Sequence, residues 1–132
     1  MIAILLLSVF SFAEVNDANK SKELFALWNK IHQPKGATPN SIGSYSAGCL
    51  AGAQKLPLDG QGYSVMNPAR ERFYGHPKLI QYLEQLGQDL SQQKMPRMLI
   101  GDLGRPRGGP MISGHASHQV GLDVDIWFEM SK

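Results

Sequence analysis

The sequence is short of cysteine, charge and long apolar runs, and each shortage excludes a class of protein. A single cysteine, Cys49, cannot build a disulfide framework within the chain. Basic residues outnumber acidic ones by 13 to 11, a net charge of +2, which is too small an excess to indicate a nucleic-acid-binding protein. The length of 132 residues allows one modest domain.

The longest apolar run lies at the N-terminus. Residues 2–12 form a run of eleven, which is too short to span a bilayer and is followed by Ala13 and Glu14. This pattern indicates a secretory signal peptide over residues 1–13, cleaved after Ala13, although no Lys or Arg precedes the run. The alternative is a buried N-terminal strand or helix. With the signal removed, residues 14–132 contain no expected membrane span.

Hydrophobic periodicity and turn residues predict few regular elements. A first helix is expected over residues 21–31 with Ser21 as its N-cap, and a second begins at Pro77. The apolar stripe of the second helix is Leu79, Tyr82, Leu83, Leu86 and Leu90. Pro and Gly make residues 33–62 mostly loop with one short strand, while residues 63–66 and 98–100 read as strands. This interleaving favours an α+β domain, a small antiparallel sheet with flanking helices.

Arginines and one histidine flank the predicted elements. Arg105 and Arg107 lie in the glycine-rich loop 101–110, where they could bind a substrate carboxylate or remain a solvated pair. The same two alternatives hold for Arg70 and Arg72. His76 directly precedes the helix start, which favours a capping or packing role over metal binding.

Candidate metal ligands are concentrated between residues 113 and 127. His115 and His118 are three residues apart in a segment with glycine on both sides. The following apolar residues alternate, at Leu122, Val124, Ile126 and Phe128. Alternation predicts a strand that places Asp123 and Asp125 together on the opposite face. Taken singly, each histidine could be an ordinary surface residue, and each acid could simply end a strand. Two imidazoles and a carboxylate that converge on one point instead suit a catalytic zinc with an open position for water.

The segment 114–125, Gly-His-Ala-Ser-His-Gln-Val-Gly-Leu-Asp-Val-Asp, resembles the zinc motif of the penicillin-insensitive murein endopeptidases, within the lysostaphin-type and D-Ala-D-Ala metallopeptidases. Similar stretches continue upstream at residues 41–49, 74–77 and 99–102. The resemblance implies zinc ligation by His118 and Asp125, the His-x6-Asp pair. The group's motif requires only these two, but the position of His115 makes it a further ligand or close neighbour, and the shared strand face makes Asp123 a residue that supports the ligands.

The resemblance also implies a function. It is zinc-dependent hydrolysis, by metal-activated water, of D-alanyl-diaminopimelate cross-links in peptidoglycan, in the periplasm. The family needs a downstream His-x-His for a further ligand and a catalytic base, which would lie beyond Lys132. Cys49 would likewise pair with a cysteine beyond Lys132, or stay a buried thiol. We therefore expect the N-terminal part of a longer protein, with an incomplete sheet. The alternative is a catalytically inactive fragment or peptidoglycan-binding remnant.

Overall fold

The computed structural model describes residues 17–111 and 116–127. The predicted signal peptide, His115 and Phe128 lie outside the described residues. Within these two ranges, no helix combines the length and apolar character needed to cross a membrane.

Two helices and eight short strands make up the described chain. In chain order they are α1 (helical residues 17–29), β1 (Asn40–Ser44), β2 (Ala47–Ala51), β3 (Gln54–Lys55), β4 (Asp59–Gly60), β5 (Tyr63–Val65), β6 (Tyr74–Gly75), α2 (Pro77–Gln92), β7 (Met98–Ile100) and β8 (Ile126–Trp127). A single 3₁₀ turn, Pro68–Arg70, lies between β5 and β6. The α+β class predicted from the sequence is confirmed.

The strands form three small sheets. β1 pairs with β2 and β3 with β6, both antiparallel, and a four-stranded sheet has the order β4-β5-β7-β8. In that sheet β5 and β7 are parallel, with Tyr63 opposite Met98, and the other pairs are antiparallel. This sheet is therefore mixed, where a small antiparallel sheet was predicted, because the connection between β5 and β7, which includes α2, brings the chain back to the end of the sheet where β5 began.

Helix α2 begins at Pro77, as predicted, and His76 is its N-cap. The His76 Nδ1 atom accepts a hydrogen bond from the Lys78 amide at 3.2 Å, which confirms the predicted capping role. The buried face is centred on Ile80 and Leu83, both fully buried. Tyr82 is 62% exposed, so its place in the predicted stripe was wrong: residues 80, 83 and 87 follow the helical repeat and turn Tyr82 outward.

Two predictions for the N-terminal third are wrong. Residues 17–20 are already helical, so Ser21 lies inside α1 and is not its N-cap. The region 33–62 holds four strands instead of one, because the Gly-, Ser- and Ala-rich residues 40–51 pair with each other as the β1–β2 hairpin. These residue types have low strand propensity, so local pattern did not show the pairing.

Gly87 provides a stability test of the packing between α2 and the turn before β5. A Cβ on Gly87 would lie 2.5 Å from the Gln61 carbonyl oxygen and 2.8 Å from the Tyr63 ring. Glycine-to-alanine changes usually stabilise a helix by about 1 kcal/mol. We expect Gly87→Ala instead to lower the free energy of unfolding by about 1–3 kcal/mol, because the turn must move away. Urea unfolding measures the change, and the exposed neighbour variant Gln88→Ala should be neutral or stabilising. A rise in stability for Gly87→Ala would contradict the packing.

Candidate metal centre

The segment 118–121 is held against the β1–β2 hairpin. The Ser41 hydroxyl donates to the Val120 carbonyl at 2.8 Å, and the Gln119 amide donates to the Tyr45 carbonyl at 3.3 Å. Close approach requires glycine on the hairpin side, since a Cβ on Gly48 would lie 2.5 Å from the Val120 side chain. The stretch 41–49, singled out from the sequence for its family resemblance, therefore fixes the backbone next to His118.

Gln119 is the buried residue that connects the hairpin to this segment. Its side-chain oxygen accepts from the Gly48 amide at 3.2 Å. Its side-chain nitrogen donates to the carbonyls of Ser46, at 2.8 Å, and Ala116, at 3.3 Å. With 8% of its surface exposed, the carboxamide is surrounded by partners that specify which end is the donor. Sequence analysis gave Gln119 no role of its own, although the residue stands within the segment 114–125 that carries the family resemblance.

We expect Gln119→Glu to destabilise the protein although the two side chains have nearly the same shape. A carboxylate keeps the bond from Gly48 but presents oxygen to the carbonyls of Ser46 and Ala116. Losing buried bonds of this kind costs about 1–3 kcal/mol. Urea unfolding at neutral pH provides the measurement, with the exposed Gln88→Glu as the matched control. Equal stability of the two variants would show that the carboxamide does not hold the segment.

The glycine-rich loop 101–110 covers the other side of the segment. The Gly109 amide donates to the Gln119 carbonyl at 2.9 Å, and a Cβ on Gly108, whose φ is +61°, would lie 1.9 Å from the same oxygen. From sequence, this loop was expected to admit an extended ligand or to be a plain connection. The structure shows that the glycines let the loop approach the chain's own backbone, at the Gln119 carbonyl.

His118 is buried and has an unusual backbone conformation. It is 2% exposed with φ of +65°, the left-handed region that few residues other than glycine adopt. The carboxylate of Asp123 stabilises this arrangement, since its Oδ2 accepts from the His118 amide at 3.1 Å and lies 2.8 Å from the ring Nδ1. A carboxylate beside Nδ1 is the usual neighbour of a histidine that binds a metal ion through Nε2.

Asp125 lies on the other side of the imidazole. Its Oδ2 is 3.5 Å from His118 Nε2. Backbone hydrogen bonds fix its position. The Asp125 amide donates to the Asp102 carbonyl at 2.9 Å, and the Gly101 amide donates to the Asp125 carbonyl at 2.7 Å. The structure thus brings Asp123 and Asp125 to one histidine, His118. The convergence predicted from the sequence, of His115 and His118 with a carboxylate, stays a prediction because His115 lies outside the described residues.

The predicted strand around these acids begins later than expected. Up to Trp127, where the described residues end, only Ile126–Trp127 pairs with β7; residues 122–125 form no strand, and Leu122 is 55% exposed. Val124 and Ile126 do pack against the core. The alternation was therefore a correct indicator for Val124 and Ile126 and wrong for Leu122, which follows the positive-φ turn at Gly121.

The spacing of His118 and Asp125 fits two ligands of one metal ion. Nitrogen and oxygen ligands bound at about 2.1 Å to a tetrahedral zinc lie about 3.4 Å from each other, close to the 3.5 Å between Nε2 and Oδ2. Within residues 17–111 and 116–127, no group of three His, Cys, Asp or Glu side chains could hold a metal ion. The described residues therefore offer two ligands, and His115, the third predicted ligand, falls outside them.

The arginines singled out from the sequence have separate environments. Arg105 donates to the side-chain and backbone oxygens of Asn29 at 3.0 and 3.2 Å, and burial lowers the pKa of its guanidinium. Arg107 faces a groove beside Trp28. Substrate binding by Arg105 or Arg107 stays a prediction.

Arg70 and Arg72 do meet a carboxylate, but it belongs to the chain. Both approach Asp102 Oδ2, at 2.9 and 2.7 Å. Asp102 is 4% exposed and Arg72 is 8% exposed, so a solvated arginine pair is the wrong interpretation for Arg72. Sequence analysis gave no role to Asp102, which is the second residue after β7 and whose backbone carbonyl accepts from the Asp125 amide.

Cys49 is half-buried on β2 and carries a free thiol among the described residues. Its predicted pairing with a cysteine beyond Lys132 stays a prediction.

Comparison with known proteins places the chain in a family. The family model described as penicillin-insensitive murein endopeptidase matches residues 41–132, which include the hairpin, α2 and the His118 segment. The chain belongs to this family. It is similar to proteins named penicillin-insensitive murein endopeptidase from Haemophilus influenzae (49% identical over 108 residues), Klebsiella pneumoniae (48% over 103) and Yersinia pestis (47% over 105).

These alignments cover most of this chain and a smaller share of each relative. They span 78–80% of the 132 residues and 38% of the relatives' own length. The family model, which matches residues 41–132, includes His118, Asp123 and Asp125.

Proposed function

We propose that this protein serves in the zinc-dependent hydrolysis of peptidoglycan cross-links, between D-alanine and diaminopimelate, in the periplasm. The observation that carries the proposal is the 3.5 Å spacing of His118 Nε2 and Asp125 Oδ2, which suits two ligands of one zinc ion. Membership of a family of murein endopeptidases supports the substrate class. His118 and Asp125 would hold the zinc, and His115 is proposed as the third ligand.

Each described residue has a distinct part in this chemistry. When bound, zinc supplies Lewis acidity that makes water nucleophilic near neutral pH and stabilises charge on a carbonyl oxygen. Asp123 holds both the ring and the backbone of His118, so that Nε2 stays directed toward Asp125. The hairpin and loop 101–110 fix the segment from two sides, and such rigidity matters because small misplacements at a catalytic site are costly in rate.

A cleavage assay tests the proposal. The purified chain is incubated with zinc and a cross-linked dimeric muropeptide, and monomeric products are separated by chromatography. His118→Ala and Asp125→Ala are compared with His32→Ala, which changes an exposed histidine paired with Glu71. Product release that requires zinc, His118 and Asp125 but not His32 supports an endopeptidase.

The same assay distinguishes the alternative, an inactive fragment or peptidoglycan-binding remnant. Zinc binding and peptidoglycan retention without product release would support that alternative for the 132 residues. Release that persists in a chelator or in His118→Ala would remove the metal centre from the reaction.

A further inference from the structure

A groove of about 300 Å³ lies outside the metal centre, where α1, the hairpin and loop 101–110 meet. Its lining includes Trp28, Lys35, Ile42, Cys49, Leu50 and Arg107. The walls are mainly apolar, and two lining residues are cations while none is acidic. A volume of this size is at the small end of ligand sites and suits one or two amino-acid residues.

Arg107 differs from the other arginines of the chain. Arg70 and Arg72 bind Asp102, Arg97 binds Asp59, and Arg105 binds Asn29. Across the part of the chain that the structure describes, no ion pair or hydrogen bond engages the guanidinium of Arg107, although its carbonyl accepts from Leu50. The guanidinium of a half-buried arginine is suited to bidentate binding of a carboxylate.

We infer that the groove binds the C-terminal carboxylate of a peptide that ends in D-alanine. Arg107 binds the carboxylate, Lys35 adds a second positive charge, and Trp28 with Ile42 accommodates the small methyl side chain. The identity of the peptide rests on the proposed function, because peptidoglycan stem peptides end in this way. The groove would thus be a substrate subsite separate from the zinc ligands.

One residue joins the groove to the metal-binding segment. Leu50 lines the groove, donates its amide to the Arg107 carbonyl at 2.8 Å, and is 2% exposed. On its other side, its Cδ2 would lie 2.4 Å from a Cβ on Gly121. A peptide end bound in the groove therefore lies one side chain away from the backbone that follows His118.

The chain's two tryptophans provide a direct test. N-acetyl-D-alanyl-D-alanine and its C-terminal amide are titrated into zinc-free protein in chelator, while the two indole N–H signals are followed by NMR. We expect the acid to shift the Trp28 signal saturably and to leave that of Trp127, which is on β8, unchanged. The amide should bind at least about tenfold more weakly, the loss expected for one charge-assisted contact.

Matched variants complete the test. Arg107→Gln and, to a smaller extent, Lys35→Gln should weaken binding of the acid, whereas Lys78→Gln, at an exposed position of α2, removes a positive charge without effect on binding. Bound acid should also slow alkylation of Cys49, the sole thiol. Equal binding of acid and amide, a shift at Trp127 instead of Trp28, or no saturable shift would overturn the inference. Because no zinc is present, these results are independent of the metal centre and of cleavage.

Discussion

Replacing His118 with alanine is expected to abolish stoichiometric zinc binding. Nε2 is one of two described atoms placed to share a metal, and an alanine side chain offers no ligand atom in its place. Asp125→Ala should have the same effect. Asp123→Asn should keep the ligands but weaken zinc affinity by about 10- to 100-fold, because the residue orients the imidazole without binding the ion. Competition with a chromophoric chelator measures all three affinities.

His32→Ala is the control for these measurements. His32 is an exposed histidine whose Nδ1 lies 2.6 Å from Oε2 of Glu71. The His32→Ala variant should bind zinc with wild-type affinity. Retention of one zinc per chain by either His118→Ala or Asp125→Ala would contradict the assignment of these two residues as ligands. An unchanged affinity in Asp123→Asn would limit that residue to supporting the backbone.

Asp102→Ala should be the most destabilising single substitution outside the hydrophobic core. Its carboxylate is almost fully buried, and the Oδ2 atom lies 2.7 Å from Nη1 of Arg72, which is itself buried. Removing one partner of a buried ion pair costs about 3–5 kcal/mol, because the remaining charge loses its compensation. Urea unfolding of the variant should show a loss of this size.

Arg70→Ala tests the same carboxylate from its exposed side. The Arg70 side chain is 40% exposed, so its ion pair with Asp102 is screened by water and should contribute at most about 1 kcal/mol. Equal losses for Asp102→Ala and Arg70→Ala would show that burial does not decide the strength of the cluster.

The parts of the fold that the sequence predicted are those with a local signal. Pro77 and the apolar repeat located the start of α2, and short apolar runs located β5 and β7. The hairpin β1–β2 was missed because its residues are small and its strands are specified by each other. The parallel pairing of β5 with β7 was missed because direction depends on how the whole chain between them returns.

The candidate site shows the same division. His118, Asp123 and Asp125 were identified from spacing within eight residues of one another. Their supports were not, since Gln119 and Asp102 act through residues far away in the chain. The arginines were recognised only as possible carboxylate binders. Whether the carboxylate is internal, as for Arg72, or external, as inferred for Arg107, depends on burial that no local pattern reveals.

The hydrogen bonds between the hairpin and the His118 segment also determine when the site can form during folding. They join residues 79 positions apart, Ser41 to Val120, and 71 apart, Gly48 to Gln119. Contacts between such distant positions close large loops and form late relative to a helix such as α2. The geometry around His118 is then completed near the end of folding. Zinc binding would report the last step of folding, and it would stabilise the native state relative to late folding intermediates.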